Sequence, residues 1–290
     1  MNKIWIPLTA ASALGAVTAA NLRRALPKPT VLGTQKYAVK KQVLTVPGKG
    51  HPLYGELLLP EGVSGKLPTV ICCHGFGSSY RSCEISVGTS LAMSGYAVCC
   101  FDFYGGSTHS KSGGSMTEMS VFTERDDLLA VLDAIKRLPT TDENRLFLLG
   151  ESQGGFVSAI TAAQRTREIR ALILWYPAFC IPEDARKRHP DRESIPDTYR
   201  IMGRKVGRVY SEGLYDYDVF SEIQDYGGPV LILHGDRDRI VPVSYAERAE
   251  KAYRDAKLIV LPGEDHGFSA AGKQQAAKLS YDFLESKRKA

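Results

Sequence analysis

The chain has 290 residues, 43% of them hydrophobic, and 37 basic against 32 acidic side chains give a formal charge of +5. That length can bury a large core and fits one sizeable α/β domain better than two small ones. The small excess of positive charge is scattered, except for short runs at residues 186–192 and at the carboxyl end, and no nucleic-acid motif accompanies it, so nucleic acid is not an expected partner.

Residues 1–30 differ from the rest. After Met1-Asn2-Lys3 comes the alanine-rich apolar run IWIPLTAASALGAVTAA, then Asn21-Leu22-Arg23-Arg24 and the proline-bearing LPKPT. A basic start, an apolar stretch and small residues at positions 18–20 read as a signal peptide or an uncleaved anchor. The run is slightly short and only mildly hydrophobic for a spanning helix. Arg23 and Arg24 on its far side also oppose an orientation with the amino end inside. Export or membrane anchoring, with association through residues 4–20, is the favoured expectation, and a cytoplasmic protein with a peripheral helix is the alternative. No cysteine follows the run, which argues against a lipoprotein anchor. Residues 31–290 are expected to form the catalytic domain.

From about residue 36 strands and helices alternate. YAVKKQVLTV and LYGELLLP read as an opening hairpin, with polar and apolar residues taking turns. PTVICCHG is the first run apolar enough to be buried on both faces. A helix is predicted over 86–94, then the strand YAVCCFD, a glycine-rich loop through Gly114, and a helix over 121–138. The strand RLFLLG leads into ESQGGF and a helix, followed by the strands RALILWYP, PVLILHG and KLIVLPG, with a helix over 245–254 and a closing amphipathic helix to about residue 286. Such alternation implies a mostly parallel sheet covered on both sides, with ligands beyond the carboxyl ends of its strands. Cys72-Cys73 and Cys99-Cys100 lie inside these apolar runs, where adjacent side chains point to opposite faces, and read as small buried hydrophobes. Neither a disulfide framework nor a zinc site fits them.

Between about residues 177 and 228 the rhythm breaks. The segment is rich in charge, proline and tyrosine and has no clear strand in its sequence, and an insertion of that length is usually functional. Its place after the strand RALILWYP puts it over the strand ends, as a lid.

The chemistry centres on Gly150-Glu151-Ser152-Gln153-Gly154, the G-x-S-x-G pattern at an abrupt strand-to-helix junction. Glycines at 150 and 154 let backbone pack where a Cβ would collide, and the helix beginning after the serine aims free N–H groups at any anion formed there. The alternative is a serine that merely caps the helix, so partners decide. Asp238 in LILHGDRDRIVP and His266 in LIVLPGEDHGFS each follow a buried-type strand, giving the order Ser, Asp, His. Asp236 is the rival carboxylate, but the turn DRDRIVP is expected to aim the second aspartate inward. Backbone N–H groups of Phe76, in CCHGFGSS, and of Gln153 are the expected oxyanion donors. His74 and His234 read as structural; His51, His109 and His189 read as loop or surface; and Glu151 as a buried structural contact.

Taken together, HGFGSS, GESQGG, the insertion after WYPAF, HGDRDRIVP and GEDHGF resemble the α/β-hydrolase superfamily over about residues 36–286, and within it the bacterial cinnamoyl (feruloyl) esterases. The resemblance implies an α/β-hydrolase fold with an inserted lid and hydrolysis of hydroxycinnamate esters by Ser152, His266 and Asp238, with no metal or organic cofactor. It also implies a lid aspartate that binds the phenolic hydroxyl, matched here by Asp184 after Pro177-Ala178. The lid tyrosine that shares this task has no clear counterpart; the alignment falls at about Gly207, with Tyr210 close by. Other acyl hydrolases on the same scaffold, a monoacylglycerol lipase, a thioesterase or a peptidase, stay open, as does a homodimer. The expected partner is a small-molecule ester.

Overall fold

The computed structural model describes residues 28–288, so the amino-terminal run read as a leader or anchor lies outside the described residues. Among the described residues eight strands form one sheet, in the spatial order Val39–Pro47, Pro52–Pro60, Ala97–Phe101, Leu67–Cys73, Thr141–Glu151, Ala171–Trp175, Val230–Gly235 and Ala256–Leu261. The opening hairpin, β1 (Val39–Pro47) and β2 (Pro52–Pro60), is antiparallel, and β2 also runs antiparallel to β4 (Ala97–Phe101). The remaining pairings, through β3 (Leu67–Cys73), β5 (Thr141–Glu151), β6 (Ala171–Trp175), β9 (Val230–Gly235) and β10 (Ala256–Leu261), are all parallel. The sheet is therefore mostly parallel, as the alternation of elements predicts.

Two apolar layers hold it. Ile71, Cys73 and Cys99 face Leu128, Phe156 and Ile160 on one side; Val70, Cys72 and Cys100 face Val87, Leu91 and Leu284 on the other. Each adjacent cysteine pair is thus split between the two faces by the two-residue period of a strand, and the six cysteines are all buried and free. The helix Val121–Lys136 begins in a capping box between Ser120 and Thr123. The helix expected near residue 86 starts earlier, at Tyr80, and runs to Met93 through a π-helical turn, Glu84–Gly88.

Strand β3 pairs with β4 on one side and with β5 on the other, so the chain reverses its direction of travel across the sheet at β3. A crevice opens at the carboxyl ends of strands where that happens. The pairing of Cys73 with Gly150 sets His74-Gly75-Phe76 beside Glu151-Ser152. Pairing of Leu261 with Gly235 likewise brings the loops carrying Asp238 and His266 together at the same end.

The segment between β6 and β9 contains structure that its sequence does not announce. After the helix Ile181–Arg188 comes a two-stranded antiparallel hairpin, β7 (Thr198–Ile201) and β8 (Arg204–Gly207), where no clear strand was expected. Its strands are short and half exposed, so they lack the apolar runs that mark a buried strand. Met202 and Gly203 make the turn with φ of 48° and 79°. Among the described residues, no helix is long and apolar enough to cross a membrane.

Candidate active site

Ser152 occupies the N-cap position of the helix Gln153–Gln164, with φ 55° and ψ −118°, a conformation that L residues rarely adopt. Its side chain makes no capping bond. Oγ lies instead 3.0 Å from His266 Nε2, and His266 Nδ1 lies 2.7 Å from Asp238 Oδ2. The cap alternative therefore fails on geometry: the strained turn holds the hydroxyl out toward a base rather than back on its own helix. Glycine is needed at the crossing point, since a Cβ on Gly154 would sit 2.3 Å from the carbonyl oxygen of Cys73.

The side chain of Asp238 is fully buried and accepts three hydrogen bonds, with His234 in close contact besides. The N–H groups of Ile240 and Val241 donate to Oδ1, each at 2.9 Å, while His266 Nδ1 and His234 Nε2 approach Oδ2 at 2.7 and 3.2 Å. Burial alone would raise this carboxyl, but the contacts with His234 and His266 outweigh it and hold Asp238 well below the usual carboxylate range. An ionised Asp238 keeps the proton of His266 on Nδ1 and leaves Nε2 free to accept from Ser152. Asp236 is exposed and accepts from the N–H of Gly263 at 2.6 Å, away from the imidazole. His266 sits in a loop anchored by the buried ring of Phe268, and Tyr176 lies edge-on to the imidazole at 4.8 Å.

Opposite His266, the loop after β3 closes on the serine: a Cβ on Gly75 would lie 3.1 Å from that of Ser152. Burial pushes the His74 imidazole down, keeping it neutral, and it braces this loop through Nδ1 to the Gly75 carbonyl at 2.9 Å, with Nε2 accepting from the Phe103 N–H at 3.3 Å. The N–H of Phe76 has no acceptor among the described residues. Gln153, as the first helical residue, has an N–H that the helix itself cannot satisfy. Phe76 and Gln153 line one chamber with Ser152.

Two chambers meet at Ser152. One, of about 140 Å³, is lined by Phe76, Gln153, Cys180, Asp184, Ile201 and Tyr210; the other, of about 190 Å³, by Ser78, Ser82, Glu151, Tyr176 and His266. Met202, at the hairpin tip, and Ile240 border both. Open clefts of about 310 and 500 Å³ elsewhere touch none of Ser152, Asp238 and His266. Asp184 forms no ion pair with Arg186 or Arg188, since Arg186 donates instead to the carbonyls of Leu214 and Tyr215. Tyr210 also lines the first chamber, but its hydroxyl is engaged, donating to Gln153 Oε1 at 2.6 Å.

Sequence reasoning missed several of these contacts. His234 touches the Asp238 carboxylate as well as the Val241 carbonyl at 2.8 Å. His189, expected in a loop or at the surface, is buried against Tyr199 where the helix Ile181–Arg188 ends. Glu151 is the buried contact foreseen for it: it accepts from the hydroxyls of Ser86, Ser82 and Tyr176, and burial raises its carboxyl.

A hydroxyl, an imidazole and a buried carboxylate joined in this order, on this sheet, define a serine hydrolase. The chain belongs to the α/β-hydrolase family: the family model described as serine aminopeptidase, S33, matches residues 66–216, and that of TAP-like protein matches residues 218–289. It is similar to the solved structure of Est1E from Butyrivibrio proteoclasticus with ferulic acid bound, at 31% identity and a TM-score of 0.77, over 85% of this chain and all of that one. Among curated proteins it is 24% identical to the uncharacterized peptidase YuxL of Bacillus subtilis, over 86% of this chain and 40% of the relative. It is 26% identical to the human serine hydrolase BPHL, over 57% of this chain and 62% of the relative. The chain thus spans less than two thirds of the length of these two curated relatives.

Proposed function

We propose that the protein hydrolyses carboxylic esters through an acyl-enzyme on Ser152, and that its acyl groups are hydroxycinnamates. The observation that carries the first part is the unbroken series from Ser152 Oγ through His266 to Asp238. In the proposed reaction Ser152 Oγ attacks the ester carbonyl while His266 Nε2 takes its proton. The carbonyl oxygen becomes an oxyanion facing the N–H groups of Phe76 and Gln153. Collapse breaks the bond to the alcohol oxygen, which receives the proton from His266. A water then repeats the sequence on the acyl-enzyme, giving the acid and free Ser152.

The finer reading rests on Asp184, whose carboxylate stands on the wall of the chamber that also holds Ser152 and makes no ion pair among the described residues. A phenolic hydroxyl on the acyl group would donate to it. Similarity to Est1E, solved with ferulic acid, supports the same class of acyl group. Asp184→Ala is then expected to lower kcat/KM for methyl ferulate by roughly 10- to 150-fold, the range of a hydrogen bond to a charged group, with little effect on p-nitrophenyl acetate. A ratio of the two kcat/KM values unchanged within about twofold, far below the ~1.4 kcal/mol of a tenfold change, would leave a general esterase. The description of the matching family model favours a second reading, an aminopeptidase; turnover of amino-acid p-nitroanilides above that of esters would select it.

A further inference from the structure

Tyr210 carries the lid to the residues of the oxyanion hole. It touches both Phe76 and Gln153. Its hydroxyl donates to Gln153 Oε1 at 2.6 Å, and its ring packs edge-on to that of Phe76 at a centroid distance of 5.7 Å and an angle of 72°. On its other side Gln153 is held from beneath: Nε2 donates to Glu124 Oε2 at 2.8 Å and approaches the sulfur of Met119 at 3.6 Å. Tyr210, Gln153 and Glu124 are all buried, so water does not compete for these bonds. Glu124 belongs to the first turn of the helix Val121–Lys136, packed against the helix that Gln153 begins.

We propose that Tyr210 is a positioning residue of the lid that fixes both oxyanion donors at once, with Glu124 as its counterpart in the core. The lid then does more than cover the substrate. It completes the hole, and a lid lifted away would leave Gln153 held from one side only and Phe76 without its ring contact. Burial pushes Glu124 up to about 8, so near neutral pH the anchor beneath the hole is an uncharged carboxyl that does not oppose the developing oxyanion. The Tyr210 hydroxyl, spent on Gln153, is not the partner of a substrate phenol, and the phenolic role falls to Asp184 alone.

The inference rests on the acyl-enzyme reading, and the test separates the two. Wild type, Tyr210→Phe, Glu124→Leu, Glu124→Gln and Ser152→Ala are compared on p-nitrophenyl acetate, whose acyl group is too short to bind along the lid. Each is also titrated with a trifluoromethyl ketone, which adds to the serine and places an oxyanion in the hole. Tyr210→Phe keeps the ring on Phe76 and removes one hydrogen bond. Its kcat is expected to fall about tenfold, between the effect of one neutral hydrogen bond and the 10²- to 10³-fold loss of an oxyanion donor, with KM unchanged within about twofold. Ketone affinity should fall by the same factor as kcat/KM. Glu124→Leu should do likewise, and Glu124→Gln, which retains an acceptor for Gln153, should restore most of the loss. Unchanged kcat and ketone affinity in both Tyr210→Phe and Glu124→Leu, a rise in KM alone, or a lowered Tm with unaltered kinetics would each overturn the proposal. Full activity in Ser152→Ala would overturn the acyl-enzyme reading instead.

Discussion

Replacing Asp238 by asparagine removes one negative charge and, more consequentially, exchanges an acceptor for a donor at one oxygen position. The N–H groups of Ile240 and Val241 point at Oδ1 and require an acceptor there, so the asparagine carbonyl takes that place and its NH₂ falls where Oδ2 was. Oδ2 faces His266 Nδ1 at 2.7 Å and His234 Nε2 at 3.2 Å. An amide donor in that position obliges His266 to present a lone pair from Nδ1 and to carry its proton on Nε2. The imidazole is then protonated on the nitrogen 3.0 Å from Ser152 Oγ and cannot take the serine proton. The same exchange in the general serine–histidine–aspartate triad costs about 10⁴ in kcat, which corresponds to about 5.5 kcal/mol of transition-state stabilisation. Asp236→Asn is expected to cost less than about threefold, because that side chain is exposed and serves only the Gly263 N–H. Steady-state turnover of p-nitrophenyl acetate by the two variants, with melting temperatures as a control for folding, reads the difference. An Asp238→Asn enzyme within tenfold of wild type, or a larger loss in Asp236→Asn, would refute the assignment.

Glu124 sets a pH dependence of stability. Its folded carboxyl lies near 8, above the ordinary value of 4.5, so its contribution is fully present below about pH 4.5 and lost as pH rises toward 8. Glu124→Gln should therefore raise Tm at pH 8.5 relative to wild type by more than at pH 5, and an equal shift at both would show that the carboxyl titrates normally. Gly154→Ala places a methyl group 2.3 Å from the Cys73 carbonyl oxygen and 2.5 Å from that of His74, both backbone atoms that cannot swing aside. Overpacking of this kind costs about 1 to 3 kcal/mol, expected as a Tm lower by about 4 °C or more together with lost activity; a Tm within 2 °C of wild type would contradict the crossing geometry.

The mostly parallel sheet and the succession of its strands and helices along the chain are legible in the residues alone. Buried parallel strands announce themselves as unbroken apolar runs, and loops at their carboxyl ends fall on one side of the sheet whatever the details, so Ser152, Asp238 and His266 were legible as separate strand-end residues before any distance was known. Local sterics also carried the elbow, because glycines at 150 and 154 have no other use so close to a serine. Tertiary structure decided what depends on two distant segments arriving at one point. The turn DRDRIVP favours Asp238 over Asp236 already in the sequence, and the structure adds the meeting itself: Asp238 lies 2.7 Å from His266 Nδ1, while Asp236 accepts from the Gly263 N–H. The β7–β8 hairpin is hidden for a related reason: each strand is only 4 residues long, too short for its alternation to stand out. In the sequence Tyr210 stands near the place of a phenol-binding tyrosine and Gln153 as a backbone donor, and no motif includes Glu124. Only packing the lid on the helix Val121–Lys136 through Gln153 makes them one hydrogen-bonded unit, since the energy of a buried polar contact belongs to the pair and not to either residue alone.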